Sequence, residues 1–223
     1  MYDVLYNTKT VIAPYLWDPF FINRYISVHN LSVDYKTTLA KHNGALRVAI
    51  CEPNRDTLKS SLIPLIGACS AVKQDLVSHV GIFDYSNSLQ KSVASVLRDM
   101  KCFNNKHRGK FRYAGRIPIP KLLTDYPVVL SHQNDHMLNY IYLEVAYLGF
   151  PIVHNSPMCK DIGYYYEGEN IEQMIERLKE IKAHHHERID TYKERAKQHI
   201  WNYSIEHPEV KRKFEILIQD AGL

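Results

Sequence analysis

The 223-residue sequence lacks the short signatures that usually mark nucleotide or acyl chemistry. It has no Gly-x-Gly-x-x-Gly, no P-loop and no Gly-x-Ser-x-Gly, so dehydrogenase, NTPase and hydrolase readings lose their usual support. Cysteine is sparse: Cys51, Cys69, Cys102 and Cys159 form no Cys-x-x-Cys pair. Four buried thiols in a reducing compartment are the expectation, ahead of disulfides or a metal site. No apolar run approaches the ~20 residues of a transmembrane helix. The opening Met1-Tyr-Asp-Val-Leu-Tyr-Asn has no basic start leading into an apolar stretch, so a signal peptide is not expected and a cytoplasmic location is.

Net charge is also small. A net charge of +4 suits an anionic ligand but falls short of the strong basic face that nucleic acid requires. The basic clusters at Lys106-His-Arg-Gly-Lys and Lys211-Arg-Lys read as a solvated loop and a solvated helix end, so no nucleic-acid partner is expected. His184-His-His is no metal site, because neighbouring helical side chains point about 100° apart and cannot converge on one ion. A solvated face is expected there, with no metal anywhere.

What is present is an ordinary globular composition, 45% hydrophobic and 23% charged, with enough chain for a substantial core. Lys9 to Pro14 reads as a short strand entering a turn, Trp17-Asp-Pro-Phe-Phe-Ile as an aromatic-rich turn, and residues 30 to 44 as a polar segment ending in the Asn43-Gly44 turn. Leu46 to Cys51, Ser78 to Asp84, Phe111 to Gly115, Pro127 to Ser131 and Pro151 to His154 read as strands by their apolar content and flanking turn residues. Helices are expected between them. One runs from Asp56 to Lys73 with an interruption at Pro64, one from Ser86 to Met100, a short one lies near Pro120 to Thr124, and one spans Met137 to Leu148. Strands alternating with helices imply a doubly wound parallel α/β sheet, with ligands outside the carboxyl ends of its strands. Helices continue to the end, the last with Pro208 in its first turn. The expected division is a linker or remnant of a preceding domain (1–45), a Rossmann-like domain (46–185) and C-terminal helices packed on it (186–223).

The stretch from Ser131 to Asn155 carries the most chemistry. It reads as strand end, polar loop, helix, glycine stop and buried strand. A helix start offers unpaired N–H groups and partial positive charge, which suit a phosphate. Glu144, five residues past Asn139, is spaced to accept hydrogen bonds from ribose hydroxyls. Its neighbours Leu143, Val145 and Ala146 imply a buried flank, and a partly buried acid needs a partner. The plainer alternative is an exposed helix acid.

Val128-Val-Leu-Ser-His-Gln, His136-x7-Glu144 and Gly149-Phe-Pro-Ile-Val resemble the donor-binding half of a GT-B glycosyltransferase. In that superfamily a Glu-x7-Glu or His-x7-Glu motif, followed by a Gly-x-Pro strand, holds the nucleotide sugar. Arg116-Ile-Pro-Ile-Pro is similar to the segment that supports the base, which brings in Arg116 and Ile119. Trp17-Asp-Pro, Glu52-Pro-Asn and His154-Asn-Ser with Asp161-Ile-Gly-Tyr-Tyr-Tyr look like a less-characterised GT-B-like group, and the likeness covers residues 12 to 185.

The resemblance implies a nucleotide-sugar site built from Asn54, Arg55, Lys59, Arg116, Ile119, His132, His136, Asn139, Tyr140, Glu144 and Asn155. Family members often hold the donor phosphates with an Arg and a Lys five residues apart. Here Asn54 stands at the Arg position before Lys59, with Arg55 beside it; two solvated charges at a helix start are the alternative. Tyr164-Tyr-Tyr is expected as an edge strand. No Asp-x-Asp motif of the other main glycosyltransferase fold occurs. The expected activity is therefore metal-independent transfer of a sugar from a nucleoside diphosphate, with no cofactor, to an unknown glycan, protein or lipid. A GT-B enzyme has two such domains, so a missing N-terminal domain or partner subunit is expected. The alternatives are a non-catalytic nucleotide, sugar or scaffold module of the same fold, and a nucleic-acid binder.

Overall fold

The structure is a computed structural model that describes residues 12–52, 59–83, 95, 98–99, 107–134 and 138–220. Short apolar runs become the strands β1 (Leu46–Ile50), β2 (Val77–Ile82), β3 (Phe111–Tyr113), β4 (Val128–Leu130), β5 (Ile152–His154) and β6 (Tyr164–Tyr165). Neighbouring strands pair in parallel in the order β3-β2-β1-β4-β5-β6. This is the expected α/β sheet, and β4 and β5 are buried throughout, as parallel strands covered on both faces should be. Tyr164–Tyr165 forms the edge, as expected.

The helices are α1 (Phe20–Val28), α2 (Tyr35–Lys41), α3 (Leu62–Lys73), α4 (Ile119–Leu123), α5 (Tyr140–Tyr147), α6 (Ile171–Glu180), α7 (His186–Trp201) and α8 (Pro208–Asp220). The end of α5 follows from Gly149, whose φ of +80° suits a residue without a Cβ. Gly149 N–H donates to Ala146 O at 2.9 Å and Phe150 N–H to Val145 O at 3.1 Å, a Schellman closure that turns the chain into β5. The helix α6 packs on α3, and α7 on α5. Trp17, Ile22 and Tyr35 join the same apolar cluster as the sheet.

Several expectations are corrected. The aromatic stretch after Trp17 is the helix α1, and the polar segment before Asn43 contains α2, started by Asp34, whose carboxylate accepts from Thr37 N–H at 2.8 Å. Among the described residues the helix expected from Asp56 begins only at Leu62. Lys59 instead pairs with Gln133 in an isolated antiparallel bridge. Pro64 consequently falls in the first turn, where its missing N–H interrupts nothing. The expected N-cap Asp56 lies outside the described residues, as do residues 9 to 11 of the strand expected from Lys9 to Pro14, whose described residues 12 to 14 form no strand. So does most of the helix expected from Ser86, of which Ser95, Arg98 and Asp99 are helical.

His185 is not on a solvated face. A π-helical turn at Ile181–His185 joins α6 to α7 and points this ring inward, fully buried, with Nε2–H donating to Gly149 O at 3.1 Å and Nδ1 2.8 Å from Tyr164 Oη. Burial pushes its pKa down to about 4, so it stays neutral. Cys69 is disulfide-bonded rather than a thiol, whereas Cys51 and Cys159 keep their thiols. No helix among the described residues is long and apolar enough to cross a membrane.

The sheet also buries an acid. Glu52, just past β1, is 2% exposed and accepts a short hydrogen bond from Ser131 Oγ at the end of β4. Burial raises its pKa to about 7, held back by Ser131, the His132 backbone N–H, Lys59 and the nearby Gln133 amide.

Two stability outcomes follow. The folded state binds a proton at Glu52 that the unfolded chain releases above its ordinary carboxylate range. Glu52 therefore stabilises most at low pH, and that stabilisation declines as pH rises towards 7. Urea unfolding from pH 5 to 8 should show wild-type stability losing ground to Glu52→Gln as pH rises towards 7; a stability difference between the two that does not change with pH would show that Glu52 is ionised in the fold throughout. Gly163 has φ +68°, and a Cβ there would sit 2.7 Å from Ile152 O and 2.8 Å from a His154 ring carbon. Gly163→Ala should cost about 2–3 kcal/mol, read as a lower denaturation midpoint at unchanged slope.

Candidate functional site

Strand order reverses between β1 and β4, so their loops diverge and leave a crevice at the carboxyl edge of the sheet. A cavity of about 980 Å3 opens there. Cys51 and Lys59 reach it from beyond β1, Phe83 from the end of β2, and Arg116 to Pro120 from the chain between β3 and α4. Leu138 to Ile141, at the start of α5, and Glu144 one turn further form another wall. Tyr15, Phe21, Ile22 and Tyr25 close the remaining side.

Six of the predicted residues thus meet on one cavity: Lys59, Arg116, Ile119, Asn139, Tyr140 and Glu144. Asn54, Arg55 and His136 lie outside the described residues. His132 and Asn155 stand away from the cavity wall. His132 is 1% exposed, with Nδ1 2.9 Å from Tyr166 Oη and Nε2 2.9 Å from Asn134 Oδ1. Tyr166 O–H in turn donates to Ser131 O at 3.0 Å, and burial holds the His132 pKa below its usual value. The Asn155 amide spans Gln133, accepting from its N–H and donating to its carbonyl, both at 2.9 Å. Both side chains hold the loop after β4 in place.

Helix α5 begins at the cavity. Asn139 is its N-cap, extended in backbone, and its side-chain oxygen accepts from Ile141 N–H at 3.3 Å. Tyr140, the first helical residue, is 43% exposed on the cavity side. Glu144 is half-buried, and burial raises its pKa to about 7 while the exposed Arg116 guanidinium pulls it back down. Among the described residues its carboxyl makes no hydrogen bond and no ion pair. A carboxyl so placed accepts well from ligand hydroxyls, and the helix start with Lys59 and Arg116 supplies positive potential for an anion. No group of His, Cys, Asp and Glu among the described residues is arranged to hold a metal ion.

Two features escaped sequence reading. Glu52 lies in the loop just past β1, but its burial is signalled only by an acid abutting an apolar strand. The α1 side of the cavity left only a cluster of aromatic residues without helical period.

Solved structures share this architecture. The structure of Anabaena Alr3699/HepE in complex with UDP matches with a TM-score of 0.61 at 10% identity, over 85% of this chain and 53% of that one. A glycosyltransferase from Rickettsia africae matches at 0.61 and 13% identity, over 83% and 51%. S. aureus TarM in complex with UDP, fondaparinux and α-GlcNAc-glycerol matches at 0.57 and 17% identity, over 79% and 35%. The chain therefore spans about a third to a half of the length of these structures. The likeness is one of fold, and it bears out the GT-B resemblance at that level. No curated protein matches the chain in sequence. Residues 1–218 match the family described as "Protein of unknown function (DUF2827)", and the chain belongs to that family.

Proposed function

We propose that this chain is the donor-binding half of a glycosyltransferase, holding a nucleoside-diphosphate sugar for transfer to a separate acceptor. The observation that carries this reading is Glu144: a half-buried carboxyl with no hydrogen bond or ion pair among the described residues, one turn into a helix whose start opens on the same cavity as Lys59 and Arg116. In this reading the diphosphate meets the start of α5 and the Lys59 ammonium, the ribose hydroxyls donate to Glu144, and the Ile117–Pro120 segment receives the base. His132 and Asn155 act through the loop that they fix. Support comes also from similar folds described as complexes with UDP, UDP-glucose, or UDP and GlcNAc.

Transfer breaks the bond between the sugar's anomeric carbon and the diphosphate, and the electron pair leaves with the phosphate oxygen. The acceptor oxygen takes its place on the sugar and gives up its proton. The helix N-terminus and Lys59 stabilise the negative charge of the departing nucleoside diphosphate without a metal. The acceptor and any base come from a second domain or a partner subunit, consistent with the share of the matched structures that this chain spans.

Calorimetric titration with UDP, GDP and their sugars tests the site. At least one nucleotide should bind in the micromolar range, with Lys59→Ala and Glu144→Ala each weakening it by about tenfold or more, the value of a charge-assisted hydrogen bond. Inorganic pyrophosphate should lose affinity in Lys59→Ala but not in Glu144→Ala. Failure to bind any nucleotide, with tight binding to RNA or a protein, sinks the proposal in favour of a nucleic-acid or scaffold module.

A further inference from the structure

The cavity extends past the residues that the donor reading uses. Rising 1.5 Å per residue, the four residues from Tyr140 to Glu144 carry a ligand about 6 Å along α5. Anything attached beyond the ribose then meets the second half of that helix, where α1 is tied down. Asn23 Nδ2–H donates to Tyr147 Oη at 2.9 Å, and the Trp17 ring packs edge-on to Tyr147 at 5.5 Å between centroids. Helix α1 also packs on α4, which continues the Ile117–Pro120 segment. Phe21, Ile22 and Tyr25, spaced to share one face of α1, all line the cavity. Ile22 is buried and anchors the helix, while Phe21 is 77% exposed. Tyr25 is half-buried and stacked on His29 at 4.0 Å, which fixes the plane of its ring. Apart from Arg116, the lining at this end is apolar or aromatic, which suits a flat heterocycle and disfavours a sugar or a second anion.

We infer that α1 supplies the second wall of a nucleobase slot, with Phe21 and Tyr25 stacking on the base that the Ile117–Pro120 segment holds from the other side. This rests on the donor-site reading above, and it makes a helix N-terminal to the sheet a determinant of nucleotide affinity. The base stacks on ring faces and is held by few directional contacts, so purines and pyrimidines should both feel the loss of these rings.

Titration of the full chain with UDP, GDP and inorganic pyrophosphate tests the assignment. Replacing both rings (Phe21→Ala with Tyr25→Ala) should weaken UDP and GDP by about tenfold or more, as expected for lost base stacking, and leave pyrophosphate unchanged. Tyr25→Phe should bind as the wild type does, because the ring and not the hydroxyl does the stacking. Phe21→Ala alone, at an exposed position, should give part of the loss with an unchanged thermal midpoint, which separates it from a folding defect. Unchanged nucleotide affinity in the double variant overturns the inference and leaves the donor site standing. A parallel loss of pyrophosphate also overturns it, by showing that α1 merely supports the fold. Wild-type protein that binds none of the three probes removes the donor site and this slot together.

Discussion

Because β1 lies between β2 and β4, the chain must leave the sheet towards opposite sides at that one place, and the loops beyond β1 and β4 cannot fold over each other. The molecule's polar chemistry is concentrated along this seam. Ser131, ending β4, donates to Glu52, which follows β1, and the Lys59–Gln133 bridge ties the two exits one step further out. Asn155 grips both backbone groups of Gln133 where the chain leaves β4, on the side of the seam from which α5 follows.

Polar side chains near the seam divide into two populations. His132 and Asn155 spend their donors and acceptors on the protein itself. His154 does the same, with Nε2 2.9 Å from Ile162 O and Nδ1 accepting from Ser156 N–H at 3.2 Å. Burial lowers the pKa of His154 to about 4, which keeps it neutral in this role. Glu144 belongs to the other population: burial raises its pKa, and Arg116 lowers it without forming an ion pair with it. A half-buried carboxyl left unpaired among the described residues raises the energy of its charged form, and a ligand that donates hydrogen bonds relieves that cost. Raised pKa alone does not separate these roles, since Glu52 reaches the same value deep in the seam.

Most of the sheet was legible because its strands are short apolar runs cut by Gly, Pro and Asn, and helix α5 because Gly149 ends it. The first two helices were not. Phe20 and Phe21 point partly to solvent, so hydrophobic periodicity breaks down over α1, and α2 buries Tyr35 and Thr38 from a segment polar enough to read as loop. In the histidine run, His184 and His186 are exposed while His185 between them turns inward, a difference that three identical residues do not signal. The depth of Glu52 was not legible for a related reason. Proximity to a strand end says nothing of depth, and it is Ser131, the His132 backbone N–H, Lys59 and Gln133 that make burial of that acid tolerable.

The five-residue π-helical turn links α6 and α7 into one uninterrupted rod. Each residue of an ordinary α-helix advances the outward direction by about 100°, and a wider turn retards that rotation. Without this delay, the stripe of Ile189, Tyr192, Ala196 and Ile200 would emerge out of phase with α5, and Tyr192 Oη could not reach Phe150 O, to which it donates at 2.9 Å. The turn therefore acts as a phase corrector: it lets a single rod lay one apolar stripe against α3 and another against α5.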